Sequence, residues 1–221
     1  MVESVFVNVS ENPNAPIVVF HAYNYEDRFD LRVALCKYEV PEYTLITITD
    51  VDWNSVLTPW KADAVIRGQP SFGGNADRYI IRLLDYLLPE TLKGLNLTPR
   101  AIYIAGYSLA GLFSLYSLYK TNVFKGAACC SGSLWYPGFT DYVKNNEFKS
   151  QPEKLYLSLG DKESKTKNPV MASVEDNTKQ IYEFYKQKGI DVEFEMNQGG
   201  HFDNPHNRLA KGIAYLLKDG Q

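Results

Sequence analysis

The 221-residue sequence has few cysteines and no long apolar run. Its three cysteines, Cys36, Cys129 and Cys130, are an odd number, and two of them are neighbours in an apolar run, where they behave as small apolar residues. This pattern fits a reducing compartment. No run of about 18 apolar residues occurs, and the N-terminus lacks a basic segment followed by an apolar one. We therefore expect a cytoplasmic protein that does not bind membranes.

The sequence also lacks an excess of basic charge. Lysine and arginine number 23 against 26 aspartate and glutamate residues, which gives a net charge of −3 and no positive field for a phosphate backbone. Nucleic acid is therefore not an expected partner. The three histidines, His21, His201 and His206, do not fall in an H-E-x-x-H or paired C-x-x-C pattern, so we expect neither a metal nor another cofactor.

The chain also has no feature that would divide it into separate units. It contains no fixed-period repeat, no low-complexity tract and no linker rich in glycine, serine or proline. A chain of this length, 45% hydrophobic, can bury most of the surface that its unfolded form exposes without a disulfide or a metal. We therefore predict one domain over residues 1–221.

Short β-branched runs alternate with helical patterns along the chain. Most of these runs are apolar nearly throughout, which favours strands covered on both faces. The predicted strands are 4–9, 16–22, 44–49, 101–106, 124–130, 154–159 and 192–196. The predicted helices are 77–88, a segment after Ser108, 174–188 and 208–217. This alternation predicts an α/β fold with a mainly parallel sheet flanked by helices, in which ligands bind beyond the carboxyl ends of the strands.

The main chemical motif follows the predicted strand 101–106. Gly106-Tyr107-Ser108-Leu109-Ala110-Gly111 leads directly into a helical pattern, so a serine lies on a strand-to-helix turn. A nucleophile elbow of this kind holds its serine in a strained conformation and needs small residues two positions before and after it, here Gly106 and Ala110. The helix N-terminus favours a developing negative charge nearby. The motif predicts Ser108 as a nucleophile, and the alternative is a tight turn with a capping serine.

A serine nucleophile needs an imidazole to take its proton and a carboxylate to orient that imidazole. His201 is the predicted base, because it lies in the glycine-rich loop 197–202 after the last predicted strand. We expect His206 to have a surface or capping role at the start of the final helix. His21, at the end of an early strand, is expected to be a structural histidine near the site.

The orienting acid should follow the penultimate predicted strand, where Gly160-Asp161-Lys162-Glu163 contains two carboxylates. Glu163 is the preferred acid, because the chain must first leave the sheet before a side chain can reach the histidine loop. Asp161 is the alternative.

The oxyanion that forms on a substrate carbonyl needs two preorganised N–H donors. One candidate is the backbone N–H of Leu109, directly after Ser108. The other lies in the loop after the early strand, His21-Ala22-Tyr23-Asn24-Tyr25, where Tyr23 is the first choice and Ala22 the second.

With these motifs in place, the sequence resembles the esterase branch of the α/β-hydrolase superfamily that includes esterase D-like and siderophore esterase-like enzymes. The segment Ser131-Gly132-Ser133-Leu134-Trp135 is similar to a Ser-x-Ser-Leu-Trp segment of those esterases, and 106–113 is similar to their elbow. The chain order Ser108, Glu163, His201 is also that of α/β-hydrolases. The resemblance implies an α/β-hydrolase fold and a serine hydrolase that acts on carboxylic esters, with a small-molecule ester as its partner.

The region where larger hydrolases insert a lid is short in this chain. Only the 23 residues 131–153 separate the two predicted strands there, so we expect no separate cap domain and an open site. Trp135, Tyr136 and Phe202 are the predicted substrate-binding residues, because they flank motifs at the carboxyl ends of strands. Tyr23 is a further candidate.

Three functions stay open at this point. The leading prediction is an ester hydrolase that forms an acyl-enzyme intermediate. An acyltransferase would form the same intermediate and pass the acyl group to an alcohol or a thiol. A hydrolase-fold binding protein with a lapsed site is the third, suggested by Ala22 and Ala110, which stand where glycines are usual. The oligomeric state is not predicted.

Overall fold

The computed structural model describes residues 3–218, so residues 1–2 and 219–221 of the predicted domain lie outside the described range. Within this range the chain forms a seven-stranded sheet and a separate two-stranded sheet, β4 with β5. The strands in chain order are β1 (Ser4–Asn8), β2 (Ile17–His21), β3 (Thr44–Thr49), β4 (Lys61–Ala62), β5 (Phe72–Gly73), β6 (Ile102–Tyr107), β7 (Gly126–Cys130), β8 (Lys154–Gly160) and β9 (Val192–Asn197).

The large sheet is mainly parallel, as predicted. Its spatial order is β1-β3-β2-β6-β7-β8-β9, and within the described residues β1 is its antiparallel member. Each of its seven strands coincides with a predicted strand to within a few residues. The parallel strands therefore all end at one edge of the sheet, and the loops that follow them come together there.

The apolar runs form strands because both faces of the sheet are covered. In β2, Ile17 and Val19 pack into one core, whereas Val18 belongs to the core on the opposite face. The adjacent Cys129 and Cys130 of β7 divide between the two cores in the same way, and both are free thiols. Since successive side chains of a strand point to opposite faces, a strand between two helical layers needs apolar residues at every position.

Helices cover the two faces of the sheet. Helix α5 is buried along almost its whole length in the first core, whereas α1 and α9 supply buried residues to the second. The helices in chain order are α1 (Asp27–Leu35), α2 (Trp53–Val56), α3 (Ala76–Arg82), α4 (Leu88–Gly94), α5 (Leu109–Lys120), α6 (Phe139–Asn145), α7 (Pro169–Ala172), α8 (Val174–Gln187) and α9 (Pro205–Leu217).

The helices differ from the sequence prediction in the segment 77–88 and in four helices that it does not contain, α1, α2, α6 and α7. The predicted helix 77–88 is part of a longer segment in which a π-helical turn, Leu83–Leu87, joins α3 to α4. Helix α1 has no predicted counterpart, because Phe29 and Val33 are exposed and obscure its apolar periodicity.

The connection between β7 and β8 contains α6 and loops, so residues 3–218 include no separate cap domain over the sheet, as expected. None of the helices in residues 3–218 combines the length and the apolar composition needed to cross a membrane. The cytoplasmic location stays a prediction.

Gly106 allows the close approach of β6 and α5. A Cβ at this position would lie 2.1 Å from the Ala110 carbonyl oxygen, a backbone atom that cannot move aside. We expect Gly106→Ala to lower the free energy of unfolding in urea by about 3 kcal/mol, the scale of overpacking in a rigid core. Gly94→Ala is the matched control, because a Cβ there meets nothing within 4 Å. Equal stability of the two variants would contradict the prediction.

Candidate active site

Ser108 lies on the sharp turn between β6 and α5, and Leu109 is the first residue of the helix. Its φ of 58° and ψ of −124° are strained for a residue with a side chain. Two hydrogen bonds hold this conformation: the Ser108 N–H donates to the Cys130 carbonyl at 3.2 Å, and the Ser108 carbonyl accepts from the Ser133 N–H at 3.0 Å. The last residue of β7 and the segment after it therefore fix the orientation of Ser108.

The structure brings the predicted serine, histidine and glutamate together. Ser108 Oγ lies 3.1 Å from His201 Nε2, and His201 Nδ1 lies 2.7 Å from Glu163 Oε2. The three residues follow β6, β9 and β8, whose carboxyl ends share one edge of the sheet. We refer to this chain of contacts as the Ser108–His201–Glu163 series.

The charge of Glu163 determines which nitrogen of His201 carries a proton. Burial disfavours the charged carboxylate, but hydrogen bonds from His201 and from the Gly160 N–H outweigh burial and hold the pKa of Glu163 below its usual value. An ionised carboxylate can only accept, so His201 Nδ1–H donates to it. His201 Nε2 is then left to accept the Ser108 hydroxyl proton.

Asp161, the alternative acid, has a different partner. Its Oδ1 accepts the Gly199 N–H at 2.8 Å, on the backbone of the histidine loop. Asp203 holds the next amide of that loop, with Oδ2 accepting the Gly200 N–H at 2.7 Å. Within the described residues, Asp161 therefore orients the loop backbone, and the carboxylate at the His201 ring belongs to Glu163.

Sequence reasoning missed Arg208, in the first turns of α9. Its side chain is 2% exposed, and its Nη1 lies 2.9 Å from Glu163 Oε1. The same guanidinium donates to Ser131 Oγ and to the carbonyls of Gln198 and Gly200. The sequence contains one signal for this residue, a charged side chain on the apolar face of the final helix.

Two hydroxyl groups of the site were also missed. Ser133 Oγ lies 3.4 Å from Ser108 Oγ, at the long limit of a hydrogen bond. The Tyr107 hydroxyl donates to the His201 carbonyl at 2.7 Å and accepts from Arg208 Nη1 at 3.2 Å. Both residues lie inside motifs that the sequence analysis identified, but contacts between distant strands leave no local pattern.

The loop after β2 differs from the prediction at Ala22. The Ala22 N–H donates to the Ile48 carbonyl at 3.0 Å and continues the sheet, so it is not available for an oxyanion. The Asn24 N–H donates to Asp27 Oδ2 at 2.8 Å, and the Tyr23 amide interacts with the same carboxylate. Of the two predicted amides in this loop, only Tyr23 stays a candidate.

The other two histidines lie outside the series. His21 Nε2 is 3.0 Å from the Tyr79 hydroxyl, and complete burial lowers the pKa of His21 to about 3. His206 Nε2 lies 3.0 Å from Asp27 Oδ1, and this hydrogen bond raises the pKa of His206. Within residues 3–218, no three His, Cys, Asp or Glu side chains are placed to hold a metal ion.

The predicted aromatic residues divide between surface and core. Phe202 is 89% exposed, and its ring lies edge-on to His201. Trp135 is half-buried and lines a surface cleft of about 270 Å³. Tyr136 is buried, and its hydroxyl donates to the Trp60 carbonyl. Tyr136 nevertheless borders the same cleft as Trp135, so its substrate-binding role stays a prediction.

Sequence comparison supplies a family context for this geometry. A family model described as "Putative esterase" matches residues 17–206. The uncharacterized protein YbbA of Bacillus subtilis (strain 168) is 26% identical over 163 residues, which cover 72% of this chain and 65% of YbbA. The chain thus spans just under two thirds of the length of that relative.

Solved structures share the fold. An IroE-like serine hydrolase from Shewanella oneidensis superposes with a TM-score of 0.80 at 18% identity, over 97% of this chain and 75% of that chain. The siderophore hydrolase EstA from Aspergillus nidulans gives a TM-score of 0.76 at 18% identity, over 97% and 89% of the two chains. At such identities the likeness shows the fold alone, and it confirms the predicted α/β-hydrolase fold.

The buried His21 generates a prediction about stability and pH. Its pKa is about 3 in the folded protein against 6.5 ordinarily, so the unfolded chain binds a proton first and stability falls as the pH drops below 6.5. Between pH 7 and pH 5 the protein should lose about 2 kcal/mol through this residue, and His21→Asn should lack that loss in urea unfolding.

His206 provides a control of opposite sign. Its raised pKa contributes stability that is present below pH 6.5 and lost as the pH rises through the folded value. His206→Asn should therefore lose stability more steeply than the wild type between pH 7 and pH 5. Equal pH dependence in the wild type and His21→Asn would disprove the role given to His21.

Proposed function

Because the chain belongs to the Esterase family of hydrolases that act on esters, we propose that it cleaves carboxylic esters with Ser108 as its nucleophile. The observation that carries this proposal is the Ser108–His201–Glu163 series, with distances of 3.1 and 2.7 Å. An imidazole that accepts from a serine hydroxyl and donates to a buried carboxylate makes that serine nucleophilic near neutral pH.

In the proposed reaction, Ser108 Oγ attacks the ester carbonyl carbon while its proton passes to His201 Nε2. Glu163 stabilises the imidazolium that forms, because its carboxylate already accepts from Nδ1. The tetrahedral intermediate then collapses, and the alcohol leaves with the proton from His201. Water, activated by the same imidazole, attacks the acyl-enzyme, releases the carboxylic acid and restores Ser108.

The oxyanion of the tetrahedral intermediate is assigned to the backbone amides of Leu109 and Tyr23. Leu109 opens α5, where N–H groups lack intrahelical partners and the helix dipole favours negative charge. The Tyr23 amide interacts with Asp27 in the free protein and must turn from that carboxylate toward the substrate. The Ala22 amide takes no part, because it is bound to Ile48.

Exposed aromatic rings at the carboxyl edge of the sheet are the proposed contacts for the substrate. Phe202 flanks His201, and Tyr23, 68% exposed, packs edge-on against Trp53. Such rings bind flat apolar groups at small entropic cost. Because a structure of this fold is that of a siderophore hydrolase, the substrate panel should include a siderophore ester beside short p-nitrophenyl esters.

Ser108→Ala tests the nucleophile. We expect kcat/KM for p-nitrophenyl acetate to fall by about four orders of magnitude or more, and labelling by a fluorophosphonate probe to stop. Ser117→Ala is the matched control, because Ser117 is a buried serine of α5 whose hydroxyl donates to the Phe113 carbonyl. Retained hydrolysis in a folded Ser108→Ala protein would rule out the mechanism. A lapsed site would instead give a wild type that neither hydrolyses esters nor reacts with the probe.

Acyl transfer is the competing outcome of the same acyl-enzyme. The open site would admit an acceptor other than water, since the part of the chain that the structure describes has no cap domain over it. Added alcohols and thiols distinguish the two functions: ester or thioester products, analysed by mass spectrometry, would identify a transferase, and free acid alone identifies a hydrolase.

Glu163→Gln tests the acid. The amide removes the negative charge that stabilises the imidazolium, so kcat should fall by about two to four orders of magnitude. Asp161→Asn should lower kcat less than about tenfold, because its amide oxygen can still accept the Gly199 N–H. Folding of both variants is checked by circular dichroism. A larger loss in Asp161→Asn would assign the role to Asp161 instead.

A further inference from the structure

Arg208 contacts both the acid and the loop that orient His201, yet within the described contacts it does not touch Ser108 or the His201 ring. Through Nη1 it binds Glu163 Oε1 at 2.9 Å and the Tyr107 hydroxyl at 3.2 Å. Through Nη2 it donates to the Gln198 carbonyl at 3.1 Å and to the Gly200 carbonyl at 2.9 Å. One planar group therefore joins the acid to the loop that carries the base.

The space for this guanidinium is built into the end of β8. A Cβ at Gly160 would lie 2.9 Å from both terminal nitrogens of Arg208. The Gly160 N–H also donates to Glu163 Oε1, the oxygen that accepts from Arg208. A glycine at this position lets the guanidinium and the carboxylate meet beneath the histidine loop.

Stability alone does not explain a buried ion pair. Desolvation opposes the attraction between the two charges, and apolar replacements of such pairs are often neutral or stabilising. The guanidinium presents its donors in a rigid planar fork, which a lysine ammonium cannot reproduce. We therefore attribute a geometric role to the Arg208 guanidinium, because it sets the distance between Glu163 and the histidine loop.

We propose that Arg208 is a positioning residue of the active site, which aims Glu163 Oε2 at His201 Nδ1 and holds the histidine loop through two of its carbonyls. The proposal rests on the proposed function of the Ser108–His201–Glu163 series. It assigns the first turns of α9 to the catalytic apparatus, and it makes the charge of Arg208 a component of the electrostatic field at His201.

Other ionisable groups face this cluster from the elements packed against it. Tyr107 reaches it from β6, Cys130 from β7, and Asp161 and Asp203 from the loops after β8 and β9. His206, in the same turn of α9, is paired with Asp27. Among the described residues, Arg208 is the cation other than the His201 ring in direct contact with Glu163, so its removal takes a positive charge from the surroundings of His201.

Arg208→Met removes the charge and keeps an unbranched side chain. We expect kcat for p-nitrophenyl acetate to fall by about 10- to 100-fold with KM within about twofold of the wild type, because positioning is lost and binding is not. Loss of a nearby positive charge favours the imidazolium, so the acid limb of the kcat/KM profile should move about 1 unit to higher pH.

Lys211→Met is the matched control on the same helix. It removes the same charge by the same replacement, but Lys211 binds Glu195 and Asn197 and is partly exposed. Its acid limb should stay within about 0.2 units of the wild type, because exposed charges are screened. An equal shift in both methionine variants, or no change of kcat and acid limb in Arg208→Met, would overturn the proposal.

Arg208→Lys separates charge from geometry and decides the question should Arg208→Met fail to fold. The retained cation should leave the acid limb within about 0.3 units of the wild type, while kcat falls about tenfold because one ammonium cannot reproduce the fork. Wild-type kcat in folded Arg208→Lys would overturn the proposal.

The titration of the His201 ring, followed by NMR of carbon-13-labelled histidine, reports on Arg208 without any substrate. The ring resonance is identified by its loss in His201→Gln. A wild type without esterase activity would reject the proposed function, whereas an unchanged His201 titration in Arg208→Met would reject the positioning role alone.

Discussion

A carboxylate can be buried at this edge of the sheet only if each of its oxygens has a partner, since an unpaired buried charge costs several kcal/mol. Glu163 meets this condition fully. Oε1 accepts from the Gly160 N–H and from Arg208, and Oε2 accepts from His201. These contacts keep the carboxylate ionised, and the ionised carboxylate in turn fixes the proton of His201 on Nδ1. His201 Nε2, the acceptor that faces Ser108, is therefore unprotonated as a consequence of the hydrogen bonds that Glu163 makes.

The parallel sheet makes this pairing possible between residues that are far apart in the chain. Ser108 and His201 are 93 positions apart, yet Ser108 directly follows β6 and His201 lies in the loop after β9, and the carboxyl ends of both strands lie at the same edge. The strain at Ser108 has its compensation nearby, in the hydrogen bonds to Cys130 and Ser133 and in the contact that Gly106 allows between β6 and α5. The fold thus maintains the strained conformation at the turn from which Ser108 Oγ reaches His201 Nε2.

Sequence reasoning located those site residues whose positions follow from a local pattern or from their order along the chain. Ser108 and His201 were predicted because a strand, a turn and a glycine-rich loop can be recognised from neighbouring residues, and the preference for Glu163 came from the length of one turn. The Ala22 amide was predicted to be free. It instead donates a hydrogen bond to the Ile48 carbonyl, and this contact depends on the register between two strands, which neighbouring residues do not reveal. Arg208 was missed for the same reason, because its partners come from four other segments of the chain.

The histidine loop is held by polar contacts rather than by packing. Two of its residues are glycines, and Phe202 next to them is exposed, so few side chains can bury apolar area there. Carboxylates bind its amides at Gly199 and Gly200, and Arg208 binds its carbonyls. Hydrogen bonds are directional where apolar contacts are not. A loop fixed in this way can hold the His201 ring within hydrogen-bonding distance of Ser108 while both side chains stay partly exposed.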